Sequence, residues 1–195
     1  MLYHATTKRS EQAKQTTYNN VTYKLMTEIF TTKKLENLIK KRIENRTLNV
    51  ENIFGKWNAS VLYITRKKCL IFVNSKSFYS VIIPRFSTTE LDKIHLLFLE
   101  NFYAQLDFEK IKTDAEFLVD NVGELKFYST DNDKKMTGII NYNISKIDYL
   151  KYDYDVFNAS VIRELTEKLN LTPFKQLNWH LPKQVMSEII EKASV

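Results

Sequence analysis

Trp57 to Pro84 reads WNASVLYITRKKCLIFVNSKSFYSVIIP, three apolar runs separated by the polar breaks Arg66-Lys67-Lys68 and Asn74-Ser75-Lys76-Ser77. β-Branched and aromatic residues in the runs, with polar turns between them, predict a three-stranded antiparallel meander over 57–84. Both parities of each run are apolar. Ala59, Val61 and Tyr63 alternate with Leu62 and Ile64, and Leu70 and Phe72 alternate with Ile71 and Val73. A strand with one wet face alternates apolar with polar, so this sheet is expected to be covered on both faces. The run Cys69 to Val73 has no polar residue and predicts a central strand. Pro84 lacks an N–H for the ladder and ends the third run or lies at an edge.

Working outward, residues 1–20 are polar and without sustained periodicity, which predicts a flexible N-terminal extension ahead of a single α+β domain over 21–195. A strand is expected from Val21 to Phe30. A helix capped by Thr31 or Thr32 follows, with Leu35, Leu38, Ile39 and Ile43 on one face and Lys33, Lys34, Lys40, Lys41 and Arg42 on the other. Ser87-Thr88-Thr89-Glu90 is a capping box, opening a long helix to about Leu106. A further helix is expected over about 108–122, ended by Gly123, and a strand from Glu124 to Thr130. Met136 to Leu150 fits helix or strand, with helix favoured. Asn158 caps a helix from Ala159 to Leu169, and Pro182 opens the last one. The mixed order lacks a βαβ rhythm, so the expected class is α+β: a mostly antiparallel sheet centred on the meander, with packed helices.

The chain of 195 residues carries a net charge of +6. Residues 1–85 hold 16 Lys and Arg against 5 Asp and Glu, whereas residues 86–195 hold 13 against 18. A basic half attracts polyanions through counterion release. The same charge also serves solubility, or attraction between the two halves. No apolar run approaches 18 residues, so no membrane span is predicted. The lone cysteine, Cys69, lies in the most apolar run, predicting a buried inert thiol and a cytoplasmic setting.

Gly55, Gly123 and Gly138 are too dispersed for a Rossmann fingerprint or a P-loop. One cysteine, and histidines at 4, 95 and 180 without a partner four residues away, match no zinc motif. No cofactor and no metal site are predicted. Glu124-Leu125-Lys126 follows the E-x-K step of metal-dependent nucleases, which also needs an aspartate at metal distance, with Asp114 and Asp120 on the preceding helix. Lys56, Arg66, Lys67, Lys68 and Lys76 fall at turns or ends of the meander, with Trp57 and Tyr79 near them. Basic residues interleaved with aromatics hold phosphates while stacking bases, so nucleic acid is the first candidate partner and an acidic protein the second. The alternative is that Trp57 anchors the core and the basic turn protects against edge pairing. Trp179 and His180 are candidates to line a cleft, with the core favoured for Trp179.

The run W-N-A-S-V-L-Y-I-T-R-K-K-C-L-I-F-V-N with Y-S-V-I-I-P resembles the hallmark of an uncharacterised bacterial domain family of unknown function. Phe30-Thr31-Thr32-Lys33-Lys34-Leu35 resembles its opening strand-to-helix step. Lys135-Met136-Thr137-Gly138-Ile139-Ile140-Asn141 is similar to a later segment, and Leu169-Asn170-Leu171-Thr172-Pro173-Phe174 to its closing L-N-x-T-P motif. The resemblance spans about 22–186 and brings no activity with it. The functional expectation is therefore a non-enzymatic cytoplasmic binding module for an acidic partner. The alternatives are a metal-dependent nuclease using Glu124 and Lys126, and a protein-interaction module of a bacterial regulatory or mobile-element system.

Overall fold

The computed structural model describes residues 25–45, 52–154 and 156–194. The N-terminal extension expected at 1–20, and the start of the strand expected at Val21, lie outside them. Five strands form one mixed sheet: β1 (Met26–Thr31), β2 (Trp57–Ile64), β3 (Lys67–Asn74), β4 (Ser80–Ile83) and β5 (Glu124–Tyr128), in the spatial order β4-β3-β2-β1-β5. Short turns join β2 to β3 and β3 to β4, and both pairs are antiparallel. β1 runs parallel to β2 and to β5, and long connections lead from β1 to β2 and from β4 to β5. Connection length decides this, because a tight turn reverses the chain whereas a parallel neighbour requires a crossover.

The sheet is mostly antiparallel, as expected, but β1 brings in two parallel pairings, so it is mixed and extends beyond residues 57–84. Its middle strand is β2, and β1 lies between β2 and β5, an insertion that no local pattern announces. β3 is interior, between β2 and β4.

The two apolar parities go to separate cores. Ala59, Val61, Leu70 and Phe72 face Phe98 and Phe102 of α2 (Ile94–Phe108), Leu118 of α3 (Ala115–Val122) and Met186 of α6 (Pro182–Ala193). Leu35 of α1 (Lys33–Leu38) joins the same cluster. Leu62, Ile64, Cys69, Ile71 and Val73 face Met136 and Ile140 of α4 (Lys134–Leu150), and Ile162 and Leu165 of α5 (Ala159–Asn170). Each buried aliphatic or aromatic side chain contributes about 1.5–3 kcal/mol, so both faces stabilise the sheet. Cys69 is fully buried, and burial pushes its thiol up from the usual range.

Helix ends follow local chemistry. Asn158 Oδ1 accepts from Val161 N–H at 2.9 Å, and Asp133 Oδ1 accepts from the N–H groups of Lys135 and Met136. The capping box forms, with Ser87 N–H donating to Glu90 Oε2 at 2.8 Å, but it opens a 3-10 segment, Thr88–Lys93, ahead of α2. The helix expected from Lys33 to Ile43 stops at Leu38, and Ile43 bridges to Phe127 instead. The helix expected from about 108 begins only at Ala115. Lys110 takes a left-handed φ of 63°, and Asp114 caps the new helix by accepting from Phe117 N–H at 2.6 Å. Gly123 is required twice over: its φ is +65°, and a Cβ there would lie 2.1 Å from the Leu25 carbonyl oxygen.

Candidate functional site

The pairing of Ile64 with Lys67 leaves Thr65 and Arg66 as a two-residue turn, with φ of 45° and 64°. Positive φ at both positions is the mirror-image turn whose twist matches a hairpin, here made without glycine. Arg66 and Lys67 are exposed and Lys68 is half-buried. Lys68 pairs across the ladder with Tyr63, a residue 44% exposed whose ring carries Lys34 Nζ 5.0 Å from its centroid. Arg85 comes close because Phe86 N–H donates to the Lys68 carbonyl at 2.8 Å. Arg66, Lys67 and Lys68 make no ion pair with a described residue. Arg66 and Lys67 are thus exposed at the tip, beside the exposed Tyr63.

Lys56, Trp57 and Lys76 are at the other end of these strands. β2 has eight residues, so at ~3.3 Å per residue they stand about 26 Å from the tip. Lys56 Nζ pairs with Asp131 Oδ2 at 2.6 Å and lies 5.0 Å over the Phe30 ring. Lys76 Nζ donates to the carbonyls of Ile53 at 2.9 Å and Asn52 at 3.3 Å. Trp57 is fully buried, edge-on to Phe98 at 5.1 Å and Phe102 at 5.3 Å. It anchors the core and offers no face to a base. The six residues expected to act together thus divide into an open set, Arg66 to Lys68, and a set committed to the fold. Trp179 corrects the expectation in the other direction: it is 66% exposed, in a left-handed conformation with φ of 65°.

Glu124 and Lys126 do come together, on one side of edge strand β5. Lys126 Nζ lies 2.9 Å from Glu124 Oε1 and 3.1 Å from Glu44 Oε1, and its bond to Glu124 raises the lysine pKa above the usual value. The ammonium occupies the space between the carboxylates. Asp114 is engaged as the α3 cap. Among the described residues, no three His, Cys, Asp or Glu side chains gather in a metal-binding group.

One buried polar cluster gives little sign of itself in sequence. Glu109, 1% exposed, accepts at Oε1 from Gln105 Nε2 at 2.7 Å and from Asn170 Nδ2 at 2.8 Å. Asn170 Oδ1 in turn accepts from Ser80 N–H at 2.7 Å, which ties β4 to the end of α5. Burial pushes Glu109 up from the usual carboxylate range, and burial together with the Glu109 charge pushes Tyr79 well up. The Gln105–Glu109 spacing of four residues on α2 is the one local signal. The Asn170 partnership spans 61 positions and is set by packing. The cluster is sealed from solvent and joins α2, β4 and α5, a structural task.

No curated protein and no solved structure matches the chain. A family model described as a domain of unknown function, DUF6933, matches residues 28–185, most of the chain, and the protein belongs to that family.

Proposed function

We propose that this protein is a non-enzymatic binding module for a phosphate-bearing polyanion, nucleic acid first, and that the β2–β3 tip makes the contact. One observation carries the reading. Lys56, Lys76 and Lys126 are each engaged by carboxylates or carbonyls of the fold, while Arg66, Lys67 and Lys68, at the turn and the start of β3, have no acidic partner among the described residues. Unpaired cations on a rigid support lose little order on meeting phosphates, and each contact releases a counterion. Tyr63, flanked by Lys34 and Lys68, adds an exposed ring of the kind on which unpaired bases stack. A cytoplasmic setting goes with this reading, in keeping with a single, unpaired cysteine. The described residues include no helix long and apolar enough to cross a membrane.

The test is binding to generic single- and double-stranded DNA and RNA across a salt series, for the wild type and for Lys67→Glu/Lys68→Glu. Expected is a weakening that is uniform across sequences, with the log–log salt slope smaller by about 2 for two lost phosphate contacts. An unchanged affinity in the variant, or no binding by the wild type at low salt, overturns the proposal. The second outcome would favour a protein partner. Mg²⁺-dependent degradation of the nucleic acid would favour nuclease chemistry instead.

A further inference from the structure

At the opposite end of the sheet from the tip, a groove of about 410 Å³ runs between the first turns of α4 and the loop after α5. Its walls bring together two of the sequence segments noted above, the one around Gly138 and the one around Pro173, which lie far apart in the chain. The rim is cationic, with Lys134 and Lys135 on the helix and Lys175 on the loop, and no acidic side chain lines it. The floor is apolar and aromatic, from Ile139, Tyr142 and Phe174. Tyr142 meets Phe174 edge-on, 5.7 Å between centroids at 78°, and the residue is still 47% exposed. Lys135 lies 5.4 Å over the Phe78 ring, and Lys134 and Lys175 make no ion pair with a described residue.

Gly138 is the informative position. It sits inside a regular helix, where glycine is unfavourable, at a φ that needs no glycine, and a Cβ added there would meet nothing within 4 Å. Folding thus gives no reason for the missing side chain. A ligand lying against the helix backbone does, since a side chain at this position would project into the space it occupies. The size falls in the ~300–1,000 Å³ range of small-molecule sites. The chemistry calls for a flat ring on the aromatic floor joined to an anion on the lysine rim.

The geometry points to a small-molecule site for a ligand that joins an aromatic ring to a phosphate, of the nucleoside monophosphate type. This site is independent of the polyanion contact at the hairpin tip. Adenosine monophosphate is the probe, titrated into ¹⁵N-labelled full-length protein alongside inorganic phosphate and adenosine. The expected result is amide shifts centred on Gly138, Tyr142 and residues 174–176, with the nucleotide binding at least tenfold more tightly than either fragment. Gly138→Leu fills the groove without demanding a new backbone conformation. It should abolish these shifts while the thermal midpoint stays level or rises. Lys134→Ser/Lys175→Ser should weaken the nucleotide about tenfold and leave adenosine unchanged. Lys67→Glu/Lys68→Glu should bind the nucleotide as the wild type does, even if nucleic-acid binding fails. No shifts at millimolar nucleotide, shifts elsewhere, equal affinity for phosphate and nucleotide, or full binding by Gly138→Leu would each overturn the proposal.

Discussion

β3 begins and ends in a turn, and the two turns look alike in sequence: a short polar break with lysine in each. They do opposite things. The Thr65-Arg66 turn has one local side-chain bond, from the Thr65 hydroxyl to the Ile64 carbonyl at 2.8 Å, and Arg66 and Lys67 face water. The turn after Asn74 is tied down on all sides. Asn74 is fully buried, and its Oδ1 accepts from Lys76 N–H, Ser77 N–H and the Ser77 hydroxyl at 2.9–3.0 Å, while its Nδ2 donates to the Phe54 carbonyl at 2.7 Å. Lys76 then pins the carbonyls of Asn52 and Ile53. A charged residue in a turn therefore says little about function until its partners are known. The locked turn builds the fold, and the open one holds its charges without an ion pair to any described residue.

The largest test of this contrast is Asn74→Ala, which leaves the Phe54 carbonyl and the Ser77 N–H buried without their partner. At ~1 kcal/mol per lost bond, with an added penalty for each group left unsatisfied, the expected destabilisation is about 3 kcal/mol, read as a lower urea midpoint. A loss below about 1 kcal/mol would mean that the turn is not locked by this side chain.

Next comes pH. Beyond the locked turn, β4 is held through Ser80 and Asn170 to Glu109, with Arg163 and Lys183 as the nearby cations. Burial raises the Glu109 pKa in the fold, so between the unfolded carboxylate value, about 4.3, and the raised folded value the native state holds more protons than the unfolded chain. Stability from this group is thus greatest below the unfolded value and falls as pH rises through the folded one. Glu109→Gln should flatten that fall, measured as urea midpoints from pH 4 to pH 8. Parallel profiles for the two proteins would refute it.

At the open turn the expected effects are smaller and of the other sign. Thr65→Asn/Arg66→Gly supplies residues suited to positive φ and should stabilise by about 1 kcal/mol. Lys67→Ala should move stability by no more than about 0.5 kcal/mol. A larger loss from Lys67→Ala would show that the tip, too, is structurally engaged.

The two tryptophans mark where reading along the chain stops being sufficient. Trp57 reads from sequence either as a stacking face beside lysines or as a core anchor and is fully buried, whereas Trp179 reads as core and is 66% exposed. Trp57 shares its parity with Ala59 and Val61 and joins their core cluster, whereas Trp179 belongs to no repeating pattern that would assign it a face.

What the sequence determined by itself is what depends on near neighbours. Alternation on both parities put Leu70 and Phe72 in one core and Ile71 and Val73 in the other. The caps at Ser87 and Asn158 and the stop at Gly123 follow from hydrogen bonds within a few residues and from one positive φ. Only the tertiary structure decided that β1 enters between β2 and β5 and that Lys56 meets Asp131. It alone decided that Glu109 meets Asn170, and that the Gly138 helix faces the Pro173 loop across one groove. The physical reason is range: capping and periodicity act over one or two turns of chain, whereas these contacts form between segments tens of residues apart, brought together by packing of the helices on the sheet.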